Sequence, residues 1–560
     1  MTQTLEPPSS GVKKKVVHPV DEVLPPQKLV VLGLQHLFIM YAGAVAVPII
    51  VGGALGLDRT DIAILINADL LVSGIATIIQ SVGISKIFGI RLPVVAGATF
   101  TVLNPMIIIA SQYGTTKNAD GHILGLQVVY GALLVAGVFA LIIAKPFSKM
   151  VRFFPPLVTG TVITVIGLSL VGADASLITG KNTTNLPFFG NGAGMTVTDP
   201  ASKTTITTAA GGTASITPQD YGKVSHIVLA GVVVLVMLVV ARFFKGFIGQ
   251  ISVLIGIVVG VFVAWMMDIN RPKGSAKLLD FSKVGDAHSF GTSKIFHFGP
   301  PHFVAAAIIS MCIVMLVTYT ESTADMLAVS EMTDRPITDN DLARGLATDG
   351  LSALLAGFMN SFPDTAYAEN VGLIEMTKIR SRWVVTVCGV FLALLGLIPK
   401  MGEIVAALPG PVIGGAGTVM FAMVTAIGIR TLNKVSYEDN HNLLIIAVSL
   451  SLGMLPVIAP DFYRHFPNNF QIIFGSAITS TVIVVFVLNI VFNEIGSGRK
   501  HQDGLTMTAV EAGAVTNQPE DGPPLRTIDR SDNALPALGT QTTTVMEHDP
   551  EDLPPANPPS

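Results

Sequence analysis

The run Tyr367-Ala368-Glu369-Asn370-Val371-Gly372-Leu373-Ile374-Glu375-Met376-Thr377-Lys378 places an acid and an amide at the start of a short, glycine-containing helix inside an apolar chain. Buried carboxylates are costly in lipid, so this run marks a transport site. A second pair, Glu321 and Asp325, lies four residues apart on one face of a helix that follows a long apolar run. One carboxylate at the bilayer centre costs about 2.5–3.5 kcal/mol, and two like charges side by side compete for a proton. Such a pair suits a proton carrier. Glu369 and Asn370 would sit where free backbone N–H groups favour an acceptor, with capping as the alternative role for Asn370. Thr99 and Phe100 would open a matching half-helix elsewhere. Two such positive helix ends suit a flat ligand that accepts hydrogen bonds, while the carboxylates accept from its N–H groups. Phe100 could stack on a ring or serve as packing. Gln35, His36 and Asp349 are further polar residues in apolar runs, and a structural hydrogen bond is the alternative for His36.

The elements that must hold these residues are membrane helices. Half of the 560 residues are hydrophobic, 13% are charged and the mean hydropathy is +0.63. Apolar stretches of about 20 residues recur from Leu29 to Ile495. They predict an all-α integral membrane domain of about fourteen segments, beginning near Leu29, Thr60, Leu92, Ile123, Phe154, Val224, Ile248, Phe303, Leu342, Ala366, Trp383, Val412, Leu443 and Phe470. The first stretch is expected to remain as a span, because no small-residue cleavage site follows it. Lys86, Arg91, Lys145, Arg242, Arg335, Arg380 and Arg430 fall in loops placed inside, while only Arg59, Lys117, Lys400 and Arg464 fall in short loops placed outside. With Lys13, Lys14 and Lys15 before the first span, this bias sets both termini in the cytoplasm of a plasma-membrane protein.

Residues 1–27 are expected to form an N-terminal tail, 28–495 the membrane domain and 496–560 a disordered cytoplasmic tail rich in Pro, Thr, Asp and Glu. The stretches around 181–223 and 271–300 are expected to be outer loops. Cys312 and Cys388 lie in apolar runs, so neither a disulfide nor a metal site is expected, and no cofactor beyond a proton as coupling ion. No nucleic-acid partner is implied by a net charge of −4.

The third and tenth segments differ from the others. Leu92-Pro93 leads into Thr99-Phe100, and Pro363 precedes Glu369. Each is expected to run extended and then turn into a half-helix. Dividing fourteen spans as 7+7 puts the tenth third in its half, the pattern of an inverted repeat with its site near the midplane.

On Glu369, Asn370, Gly372, Thr377 and Lys378 the chain resembles the nucleobase-ascorbate transporter family, nucleobase:cation symporter family 2. Gln35-His36, Glu321 with Asp325, Asp349, and Pro409-Gly410-Pro411 leading to Gly428-Ile429-Arg430 carry the same resemblance, which covers roughly Pro25 to Phe492. It implies interleaved core and gate subdomains, a homodimer and an elevator-type movement. Glu321 and Glu369 would bind the base, the backbone near Phe100 would complete the pocket, and Asn370 would shape it. Asp325, Asp349, His36 and Gln35 would support proton coupling or the pocket. Gly372, Thr377 and Lys378 would govern selectivity or gating.

The first span and Leu92-Pro93-Val94-Val95 look like the xanthine and uric acid branch. Glu369 stands where that branch usually has Gln and uracil carriers have Glu. The expected activity is proton-coupled import of an oxidised purine, xanthine or uric acid, with uracil as the alternative. An inorganic-anion carrier would be repelled by Glu321 and Glu369. An intramembrane enzyme would need a zinc motif or strained nucleophile, and neither occurs in the sequence.

Overall fold

The computed structural model describes residues 18–495 except 151–153, 270–277, 293, 438–439 and, between 180 and 221, all but four short strands. The described residues belong to the first of two units, Met1–Ala514; the second, Val515–Ser560, lies outside them. The tail expectations for 496–560, and the lysines at 13–15, therefore fall outside the described residues.

Along the chain the helices are α1 (Pro26–Leu55), α2 (Arg59–Val82), α3 (Leu103–Tyr113), α4 (Leu124–Met150), α5 (Pro156–Thr179), α6 (Val224–Phe243), α7 (Phe247–Gln250), α8 (Ser252–Ile269), α9 (Ala305–Met332), α10 (Asp339–Met359), α11 (Ala368–Thr377), α12 (Arg382–Gly396), α13 (Pro399–Ala406), α14 (Gly410–Leu432), α15 (Asn440–Ile458), α16 (Asn468–Phe474) and α17 (Ala477–Asn489). The strands are β1 (Ala96–Ala98), β2 (Thr184–Pro187), β3 (Thr196–Thr198), β4 (Thr205–Thr208), β5 (Thr213–Thr217) and β6 (Asp364–Ala366).

The expectation of an all-α chain needs correcting in two places. The 181–223 stretch, expected to be an outer loop, contains an antiparallel sheet of order β2-β5-β4-β3. Its strands are built largely of threonine, whose β-branched side chain favours extended backbone. The second correction is central: β1 pairs antiparallel with β6, Ala96 opposite Ala366, Gly97 opposite Thr365 and Ala98 opposite Asp364. Extended backbone at this depth must be satisfied by protein. Thr99 N–H donates to the Pro363 carbonyl at 2.9 Å and Tyr367 N–H to Val95 at 3.0 Å. From α2, the Thr77 hydroxyl accepts from Ala96 N–H at 2.9 Å and donates to the Ala96 carbonyl at 3.0 Å.

Among the described residues nine helices are long and apolar enough to cross a membrane, and two bent pairs bring the number to as many as eleven. The half-helices α3 and α11 are too short to count by themselves. The eleventh and fourteenth segments, expected to be plain spans, are bent: α12 and α13 meet at 81°, α16 and α17 at 79°. Pro399 opens α13 at the first break, where a missing N–H favours a new helix start. At the second, Ser476 caps α17 by accepting from Thr479 N–H.

Helices α2 and α12 pack backbone to backbone because Gly74 carries no side chain; a Cβ there would lie 2.4 Å from the Ala393 nitrogen. Charged pairs segregate into two groups. Asp21 meets Arg335 and Arg382 at 3.0 and 2.8 Å, and Arg380 meets Asp334 at 2.6 Å. Arg59 meets Asp280, and Lys117 meets Asp58 and Asp61. These groups divide as the loop-charge reading divides inside from outside.

Candidate functional site

The paired strands aim two helix starts at α9. A Thr99 side chain caps the short turn after β1, accepting from Thr101 N–H at 3.2 Å, and α3 continues from there. Both threonine hydroxyls then donate to Glu321: Thr101 to Oε1 at 2.7 Å and Thr99 to Oε2 at 3.1 Å. Each carboxylate oxygen thus has one hydroxyl donor and keeps lone pairs free to accept again. Glu321 is half-buried, so its remaining acceptor capacity is open to a ligand. Thr101 was not among the residues singled out from the sequence; its alternation with Thr99 around Phe100 was the available signal.

Phe100 lies edge-on to Phe421 of α14, ring centres 5.2 Å apart. This contact packs the turn before α3 against α14 and leaves open whether the ring also stacks on a ligand.

On the opposite side, α11 starts with Tyr367 as N-cap residue and Glu369 in its first turn. No side chain caps this helix from the N-cap position, and the half-buried Glu369 lies in its first turn. Asn370 is no cap. It is buried, and its Nδ2 donates to the His36 carbonyl and lies against His36 Nδ1, each at 3.0 Å. That pair fastens α11 to α1. Gln35, half-buried, makes no bond to this network.

Asp325 lies within electrostatic reach of both Glu369 and Glu321, as one turn of α9 requires. Asp349 of α10 is fully buried, accepts from Gln80 of α2 at 3.0 Å and lies beside Ser322. Ser322 also accepts from Ala366 N–H at 3.0 Å and meets the Thr365 hydroxyl at 2.9 Å. Asp349 therefore touches the candidate site through Ser322, the residue next to Glu321. Gln80, a polar residue at the end of an apolar run, does not announce its partner in the sequence, and Ser322 is masked by the acid beside it.

Thr377 bonds back to the Leu373 carbonyl, and Lys378 ends α11 in the left-handed region at φ 56°. Gly372 faces α7: a Cβ there would lie 3.8 Å from Gln250 Nε2. These three residues sit along and beyond α11, away from Glu321. A cavity of about 630 Å³ lies elsewhere, lined by residues that include Asp58, Asp61, Lys117, His122 and His297, and contains none of the candidate residues.

The arrangement brings two helix starts and the half-buried carboxylates of Glu321 and Glu369 to one region. It can take up a small planar molecule with both carbonyl and N–H edges. The described residues contain no group of three or more His, Cys, Asp or Glu able to hold a metal.

A family model described as Permease family matches residues 27–198 and 194–462. The chain is 37% identical over 504 residues to the uric acid transporter UacT of Escherichia coli (strain K12), covering 90% of this chain and 93% of that one. It is 36% identical to the xanthine permease of Bacillus subtilis (strain 168), covering 84% and 95%. The uric acid permease PucK of Bacillus subtilis (strain 168) is also 36% identical, with 83% and 95% covered. Among solved structures, the murine solute carrier 26 family member A9 anion transporter in the inward-facing state shares the fold at TM-score 0.52 and 13% identity, over 87% of this chain and 73% of that one.

Proposed function

We propose that this chain, which belongs to the nucleobase-ascorbate transporter family in its xanthine and uric acid permease branch, imports an oxidised purine together with a proton. It is a multi-pass membrane transporter and not an enzyme. The observation that carries the purine reading is the carboxylate of Glu321, oriented by Thr99 and Thr101 at one helix start and facing the α11 start that bears Glu369. An oxidised purine supplies what this geometry asks for: ring N–H groups for the carboxylates and exocyclic oxygens for the helix N–H groups. Relatives described as uric acid or xanthine carriers support the purine, and uracil, which rested on Glu369 alone, is not favoured.

Glu321 takes the proton with the base, and Asp325, within reach of Glu321 and Glu369, shares it. Asp349 and His36 hold the surrounding hydrogen bonds. Proton and purine must each favour the other's binding to the same degree. Fourteen spans in a 7+7 inverted repeat are supported by the paired extended stretches β1 and β6, each feeding a half-helix. Cytoplasmic termini in the plasma membrane agree with the segregation of charged pairs. Lipid and a second copy of the chain would cover α6, α8 and α15, whose most apolar stretches are only 28%, 22% and 22% buried.

Uptake of labelled xanthine into cells lacking their own carriers tests the reading, with unlabelled urate, uracil or sulfate as competitor and with or without a protonophore. The expected result is saturable uptake, lost with the protonophore and blocked by urate. Blockage by uracil with weak xanthine uptake would overturn the purine, and uptake indifferent to the protonophore would overturn the proton.

A further inference from the structure

A second buried acidic pair lies apart from the residues assigned to the purine. Asp69 of α2 and Asp364 of β6 are both fully buried. Ser73, one turn along α2 from Asp69, donates to Asp364 Oδ1 at 2.8 Å. Ser361, three residues before Asp364, donates to Asp69 Oδ1 at 3.4 Å. The result is a reciprocal quartet in which each acid is held by the serine next to the other. Its hydroxyls satisfy one oxygen of each acid. Oδ2 of Asp69 and Oδ2 of Asp364 are buried and have no hydrogen-bond donor.

Two further groups point to a ligand here. The Tyr130 hydroxyl from α4 and the Tyr367 hydroxyl are buried without a hydrogen-bond partner, and both interact electrostatically with Asp69. The two acids also repel each other. Among the described residues neither acid makes an ion pair, and Arg344 of α10 is held by Asp341. Asp349 on α10 and Glu369 on α11 are acidic; Arg382, the charged residue of α12, binds the Ser81 and Val82 carbonyls at the end of α2; Glu403 of α13 interacts with Lys283, Asp58 and Arg59. Structural pinning of α2 to β1 and α10 is already served by Thr77 and Gln80, so it does not account for a pair of carboxylates.

We propose that Asp69 and Asp364, with Ser73, Ser361, Tyr130 and Tyr367 around them, bind one monovalent cation. Every side-chain donor atom in this set is oxygen, the chemistry of a hard cation, and two buried carboxylates that repel each other are relieved by a positive charge between them. A proton shared by the pair and a sodium ion coordinated by it satisfy the same requirement. The site goes beyond the purine reading, and its test does not depend on transport.

The purified full-length protein is melted in choline chloride with sodium chloride substituted at constant ionic strength, and separately over pH 6–8 without sodium. A cation bound by the native state alone raises Tm with its concentration, here by at least about 2 °C. A sodium response that is lost in Asp69→Asn and Asp364→Asn assigns sodium. No sodium response, with a rise in Tm toward low pH that shrinks in both variants, assigns the shared proton. Infrared spectra of the single variants give a second reading, since a protonated carboxyl band present in the parent and missing from a variant belongs to the pair. Sodium and pH responses identical to the parent in both variants, with an unchanged carboxyl band, would overturn the site. Purine binding by the parent, measured in parallel, reports on the transport reading alone.

Discussion

The two half-helices share a backbone plan and differ in chemistry. Each follows an extended stretch, and the stretches pair with each other. The α3 start carries hydroxyls, Thr99 and Thr101, which are spent on orienting Glu321. The α11 start carries a carboxylate and an amide, with Glu369 left toward the site and Asn370 drawn away to His36. Repeated backbone therefore supplies two sets of N–H donors, while the side chains divide the labour: one end positions an acid that belongs to α9, the other brings its own. On the proposed reading, this asymmetry would let two similar helix starts recognise a molecule whose edges differ.

The largest test of that division is Glu321→Gln. The amide cannot take up and release the proton that Glu321 carries, and proton-driven purine uptake is expected to fall at least about 100-fold. Retained proton-driven uptake of labelled xanthine in this variant would show that Glu321 does not carry the proton. Asn370→Ala should cost less. It removes the tie between α11 and α1 and leaves the buried His36 Nδ1 without its partner, about 1–3 kcal/mol, read as a roughly tenfold loss of uptake together with a lower Tm. Thr101→Val removes one orienting bond and leaves the Glu321 charge in place. A change of about 1 kcal/mol, near fivefold in affinity, is expected in a binding titration, with a smaller change for Thr99→Val because its bond is longer.

The smallest effect lies outside the site and concerns the ion pairs near the chain's start. Burial pushes Asp21 up, but Arg335 and Arg382 outweigh it and hold its carboxyl below the usual value of 3.8. A depressed folded-state value gives stability that is present above the unfolded value and lost as pH falls through the folded one. The Tm difference between the parent and Asp21→Asn should therefore be steady at neutral pH and shrink on acidification below about pH 4. It should also shrink with added salt, because Asp21 and Arg335 are about one third exposed.

Much of this arrangement was legible in the sequence. Pro93 and Pro363 mark the extended stretches, Glu369-Asn370 and Thr99-Phe100 mark the helix starts, and the i to i+4 spacing of Glu321 and Asp325 marks a shared face. What the sequence withheld was pairing. Nothing in Ala96-Gly97-Ala98 announces that it lies against Asp364-Thr365-Ala366, because three-residue strands are too short for a period to show. Asp69 was overlooked for a related reason: a lone acid in an apolar helix has no visible counterpart until Asp364 arrives from 295 residues away in the chain. The threonine-rich stretch at 181–223 reads as a loop by composition, and only strand partners distinguish it from one. The bends at Pro399 and Gly475 were masked by hydropathy, which measures length across the bilayer and is blind to direction.

The three-residue pairing of β1 with β6 has a mechanical consequence. Ladder bonds on both sides of the crossing, and the hold of Thr77 on Ala96, lock the two helix starts together as one rigid joint. Neither start can be displaced without dragging the other. Groups mounted on the joint, such as Glu369, can be exchanged while the ladder keeps the spacing of its two arms.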